Sequence, residues 1–143
     1  MRRTSWRIVS LVLVLSLALL SCDGPNRGTN TQPSSASGFL LNLTASPNVI
    51  RAENPNIEDS GGCAQITIKV FDRQGRLVDG VTVDVSTTLG RFVVGTTDNL
   101  VGFAFPTVRG TLTATLCANQ ARGTATITAV VEDAVATTLV TIF

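Results

Sequence analysis

Ile66-Thr67-Ile68-Lys69-Val70-Phe71 and, a short way on, Val81-Thr82-Val83-Asp84-Val85-Ser86 carry one pattern. An apolar residue falls at every second position, and the residues between are mostly polar. Successive side chains of a β-strand point to opposite faces, so this period of two describes a strand with one face buried and the other in water. Working outward, the same alternation runs through Phe39, Leu41 and Leu43, and through Leu112, Ala114 and Leu116. It returns at Ala125, Ile127, Ala129 and Val131, and a last strand is expected over about residues 135–142. Thr and Val are the commonest residues from Phe39 onward, and branched side chains of this kind suit a pleated surface. No window after residue 22 shows a helical stripe.

Turn-forming groups separate these runs: Ser46-Pro47-Asn48, Asp72-Arg73-Gln74-Gly75, Asp79-Gly80, Thr97-Asp98-Asn99, Ala118-Asn119-Gln120 and Glu132-Asp133. About seven short strands with turns at this spacing argue for an all-β fold, an immunoglobulin-like antiparallel β-sandwich over residues 39–143. A small barrel is the alternative. One apolar and one polar face per strand is what antiparallel sheets with a solvated side require.

The stretch Phe71-Asp72-Arg73-Gln74-Gly75-Arg76-Leu77-Val78-Asp79-Gly80-Val81-Thr82-Val83, with Gly90 beyond it, resembles the second-to-third strand region of bacterial Ig-like domains of the invasin and intimin type, group 1. Leu43-Thr44-Ala45-Ser46-Pro47 and Gly123-Thr124-Ala125-Thr126-Ile127-Thr128-Ala129 are similar to its first and later strands, so the resemblance covers nearly all of residues 39–143. It departs at Thr97-Asp98-Asn99-Leu100-Val101-Gly102, where the family's Thr-Asp-x-x-Gly turn is stretched. The resemblance implies a rigid spacer or an adhesive module, usually in tandem. This chain carries one copy, so an adhesin function does not carry over.

Upstream, residues 23–38 hold Gly, Pro, Ser, Thr and Asn with Ala36 as the one apolar side chain. Such a composition cannot bury enough surface to offset the entropy of ordering it. Residues 22–38 are therefore expected to be a flexible tether. Before them, Arg2, Arg3 and Arg7 precede an apolar run over residues 8–20 interrupted by Ser10 and Ser16. A cationic start and an apolar run of this length describe a secretory signal peptide over residues 1–21, too short to span a bilayer, for which ~20 apolar residues are needed.

Leu19-Leu20-Ser21-Cys22 then resembles the lipobox of bacterial lipoproteins. The resemblance implies cleavage before Cys22, a diacylglyceryl thioether on its sulfur and acylation of the new amine. An ordinary cysteine just past a signal peptide is the alternative. Two or three acyl chains, palmitate among them, at ~0.8 kcal/mol per buried methylene, would hold the chain firmly to a bilayer. The expected location is outside the cytoplasm, anchored to a bacterial membrane on its periplasmic or cell-surface face.

Loss of residues 1–21 takes three of the eleven basic residues and leaves eight against ten acidic ones. The remaining cations are scattered singly, without the basic stripe that nucleic acid requires. Lipidation would consume one of three cysteines and leave the pair Cys63 and Cys117. If the strand after Cys63 pairs antiparallel with the strand ending at Cys117, matching Ile66 to Ala114 and Ile68 to Leu112 keeps the apolar faces together. That register sets Cys63 opposite Cys117, within reach of a disulfide. Two free thiols are the alternative.

The chain has no His and no Tyr, which removes the commonest general base and metal ligand. Glu58-Asp59 and Glu132-Asp133 are acidic pairs in turn-like stretches, where solvated carboxylates are usual. Glu53, Glu58 and Asp59 share a loop but lack the spacing of a calcium site. No catalytic residue, metal or cofactor is expected, and the chain reads as a non-enzyme. The other distinctive stretch runs over residues 91–105, where Phe92, Phe103 and Phe105 lie among aliphatic residues. They form either core with an apolar edge strand or a partly exposed patch that docks a partner. The leading expectation is a lipid-anchored envelope module with a structural role or a protein partner. An adhesive module binding carbohydrate or matrix is the alternative, although the sole Trp is Trp6 and no sugar-stacking platform of Trp and Tyr exists.

Overall fold

A computed structural model describes residues 30–31, 35–57, 61–94 and 97–143. The expected signal peptide, Cys22 and most of the expected tether lie outside the described residues, as do Glu58 and Asp59. Eleven strands are found among those described, in two sheets. The first sheet has the order β1-β2-β4-β9-β6-β7 and is antiparallel throughout. Its strands are β1 Asn30–Thr31, β2 Leu40–Ser46, β4 Cys63–Phe71, β6 Arg91–Val94, β7 Thr97–Leu100 and β9 Thr111–Cys117. The second sheet has the order β3-β11-β10-β5-β8, built from β3 Val49–Ile50, β5 Thr82–Thr87, β8 Gly102–Pro106, β10 Gly123–Val131 and β11 Ala134–Ile142. The chain is thus an all-β, immunoglobulin-like sandwich.

The alternating positions place the core where expected. Leu41 and Leu43 from β2, Ile66, Ile68 and Val70 from β4, and Leu112, Ala114 and Leu116 from β9 are buried. They meet Val83 and Val85 from β5, Ala125, Ile127 and Ala129 from β10, and Val140 and Ile142 from β11. Each fully buried aliphatic side chain stabilises the fold by about 1.5–3 kcal/mol relative to exposure. Thr138 stands at an inward position of β11 and is buried with them.

The strands beyond the expected number come from stretches without alternation. β1 and β3 are two residues long, β7 is formed by the stretch that departs from the family pattern, and β8 by the residues that end it and follow it. β3 also pairs parallel with β11, Val49 opposite Thr141, so the second sheet is mixed rather than antiparallel.

Two connections show how the chain changes sheets. After β4, the Asp72 carboxylate accepts the amides of Gln74 and Arg76 and pairs with the Arg76 guanidinium at 2.8 Å. The Arg76 amide above all holds the Asp72 carboxyl below its ordinary value. Thr107, buried, then ties the crossing strand end: its hydroxyl donates to the Val78 carbonyl and accepts from the Val81 amide. Between β5 and β6 the turn needs Gly90, whose φ is +78° and where a Cβ would lie 2.8 Å from the Cys117 carbonyl oxygen.

The registers define two poles. One holds Pro47, Cys63, Cys117, Gly123 and Phe143; the other holds residues 35–38, the turn at residues 72–76, residues 107–110 and the Glu132-Asp133 turn.

Candidate functional site

β8 ends the second sheet, so among the described residues one side of its backbone has no strand beside it. Its partner on the other side is β5, with Phe103 opposite Val85 and Phe105 opposite Val83. Both Val residues are buried, so Phe103 and Phe105 point toward the space between the sheets. β6, carrying Phe92, belongs to the opposite sheet one strand from its own edge. The Phe92 and Phe103 rings meet edge to face with centroids 5.1 Å apart, and Phe105 follows at 5.7 Å from Phe103. A ladder of three rings therefore runs from the core out to the rim.

These residues differ in depth. Phe92 is fully buried, which corrects its expected place in a docking patch: a side chain without solvent contact belongs to the core. Phe103 is half-buried against that core, and Phe105 is 41% exposed. The surface that remains for a partner is Phe105 with Ala104 and the strongly exposed Val101 next to β8. An edge strand with apolar side chains and unpaired backbone groups accepts a further strand, and folds usually cover or charge such an edge.

Cys63 stands opposite Cys117 in the β4–β9 register, with Ile66 opposite Ala114 and Ile68 opposite Leu112. The two cysteines are joined by a disulfide on the outer face of the first sheet, and Cys63 is exposed. A depression of about 260 Å³ lies beside the bond, lined by Glu53, Gly61, Arg91 and Val93 among others. Glu53 is the one described member of the three acids considered for calcium. Among the described residues no group of three or more His, Cys, Asp or Glu could hold a metal ion. No described helix is long and apolar enough to cross a membrane.

Asp133 has a role that no sequence pattern indicated. Its carboxylate accepts the backbone amides of Ala36 at 2.6 Å and Ser37 at 3.1 Å, 97 and 96 residues away in sequence. Hydrogen bonding from the Ser37 side chain and then from these amides holds the Asp133 carboxyl below its ordinary value, outweighing partial desolvation. The Arg73 guanidinium donates to the Ala36 carbonyl at 2.7 Å. The last residues of the expected tether are thus clasped to the sandwich, and Asn30–Thr31 pairs with β2 just upstream.

No family model matches the chain, and no curated protein matches it. Among solved structures it is similar to a member of glycosyl hydrolase family 2 from Bacteroides cellulosilyticus, at 20% identity and a TM-score of 0.51. That match covers 72% of this chain and 14% of the other. A C-terminal 282-residue fragment of intimin, in complex with the intimin-binding domain of the translocated intimin receptor, matches at 18% identity and a TM-score of 0.46. There the coverage is 70% of this chain and 31% of that one. This chain spans less than a third of either protein. The first likeness shows the sandwich fold alone, and the second adds no argument to it.

Proposed function

We propose that this chain is a lipid-anchored module of the bacterial cell envelope. Its Ig-like sandwich is held outside the cytoplasm by acylation of Cys22 and serves a structural or protein-interaction role. The observation that supports export is the disulfide between Cys63 and Cys117, with Cys63 exposed to solvent. Reducing agents of the cytosol reach such a bond, whereas exported domains retain it. The pairing also leaves Cys22 as the odd cysteine, placed directly after the apolar run of the signal sequence.

The surface offered to a protein is the β8 edge with Val101 and Phe105. A partner would add an extended strand beside β8, its backbone satisfying the free groups and its apolar side chains covering the Phe105 ring. Two readouts on the natively expressed protein test the proposal. Alkyne-palmitate fed to the cells labels the wild-type protein through Cys22, and a photoreactive residue at position 101 or 105 crosslinks to an envelope protein. Absence of label overturns the anchor. Label without a crosslink at either position overturns the docking edge.

A further inference from the structure

β8 pairs with β5 in an unbroken antiparallel register, Gly102 opposite Ser86 and Pro106 opposite Thr82. Just beyond its two ends the Thr87 amide donates to the Val101 carbonyl, and the Thr107 amide to the Val81 carbonyl. Bonded positions of an antiparallel pair alternate with unbonded ones, so Phe103 and Phe105 also turn their backbone groups toward β5. Gly102, Ala104 and Pro106 turn theirs the other way, where no described strand lies. That side presents the amides of Gly102 and Ala104 and the carbonyls of all three residues; Pro106 has no amide to give.

This set of groups is complementary to itself. Let a second β8 run antiparallel beside the first about a two-fold axis at Ala104. In that register all 5 residues of each strand lie opposite the other. The Ala104 amides then donate to each other's Ala104 carbonyls, and each Gly102 amide donates to the carbonyl of the other copy's Pro106. Every amide on the open side gains an acceptor. The missing donor of Pro106 falls at the end of the ladder, where its loss interrupts nothing.

The side chains match in the same register. On the outer face Ala104 meets Ala104, and the Pro106 ring lies opposite Gly102, which has no side chain. On the inner face Phe103 of each copy lies opposite Phe105 of the other, at the unbonded positions where opposed side chains come closest. The ring ladder of Phe92, Phe103 and Phe105 continues into that of the second copy, and the 41% exposure of Phe105 is covered. No charged residue stands on β8, although charge is a common means of keeping such an edge from pairing with its own copies.

We propose that β8 pairs about Ala104 with β8 of a second copy of this chain, which joins the second sheets of two sandwiches into one continuous sheet. The pairing rests on the docking edge proposed above and names its occupant: the strand that β8 receives is another β8.

The test uses the full chain in the cells that make it, with one cysteine added on the open side. Ala104→Cys sets two-fold-related Cα atoms about 5.5 Å apart, within reach of a disulfide. Pro106→Cys sets them four strand residues out of register, about 14 Å apart and beyond that reach. Without reductant A104C runs at twice the mass of the parent, and P106C at the parent's mass. A104C at the parent's mass on chain that still unfolds cooperatively, or equal dimer from both variants, overturns the pairing about Ala104. A second measurement needs no new thiol: a photoreactive residue at position 105, in cells carrying the chain under two different tags. An adduct that holds both tags is the expected result. An adduct with a different protein alone overturns the self-pairing and leaves the docking edge intact, and no adduct overturns both.

Discussion

Phe92, Phe103 and Phe105 come from one apolar stretch, and the sandwich gives each a different task. Phe92 has no solvent contact, so Phe92→Ala leaves a cavity among the aliphatic residues and costs about 3–5 kcal/mol in denaturant unfolding. Phe105→Ser, at the exposed rim, stays within about 0.5 kcal/mol of the parent and loses the crosslink to the partner. Phe103→Ser falls between them, at about 1–2 kcal/mol, because its ring packs edge-on against Phe92. Equal costs at Phe92 and Phe105 would contradict this ordering. Sequence alone left the three residues undivided, since depth depends on which sheet each strand joins. Asp133 was illegible for a related reason: its partners, Ala36 and Ser37, are distant in sequence. Its carboxyl is held below the ordinary value in the folded chain, so the clasp contributes fully above the usual carboxylate range. The contribution is lost as pH falls through the lowered value. The amide resonances of Ala36 and Ser37 should therefore shift on acidification with a midpoint below that of a free Asp, and Asp133→Asn should abolish the shift. A midpoint at the ordinary value would count against the clasp.

At the level of strands, the long alternating runs were legible because burial of one face fixes both type and register. Matching Ile66 to Ala114 gave the β4–β9 pairing, and the same register places the two cysteines side by side. The short strands were not legible. β1, β3, β7 and β8 are set by what they lie beside, and their own residues carry no period. Thr107 illustrates the limit: nothing local marks it, yet its hydroxyl joins Val78 to Val81 where the chain crosses between sheets. The disulfide closes a sequence separation of 54 residues. On the chain-entropy estimate this constraint stabilises the fold by about 4 kcal/mol. Replacing both cysteines with Ser should lower the unfolding free energy by up to that amount while leaving the sandwich cooperative. Intact mass of the parent should rise by two hydrogens on reduction; an unchanged mass would contradict the bond.

For the whole molecule, the strands and core define a sandwich whose geometry is common to many roles. What would distinguish this chain is the proposed anchor at Cys22. Asn30–Thr31 lies beside β2, and Asp133 and Arg73 hold Ala36 and Ser37 against the sandwich. The proposed anchor and the β8 edge then form one proposal: a fixed piece at a membrane that offers a strand edge to a partner. The most direct measurement is fractionation of cells expressing the parent and Cys22→Ser at equal level, with an alkaline carbonate wash. The account expects the parent in the washed membrane pellet and the variant lost from it. A variant retained in that pellet as fully as the parent would contradict the account.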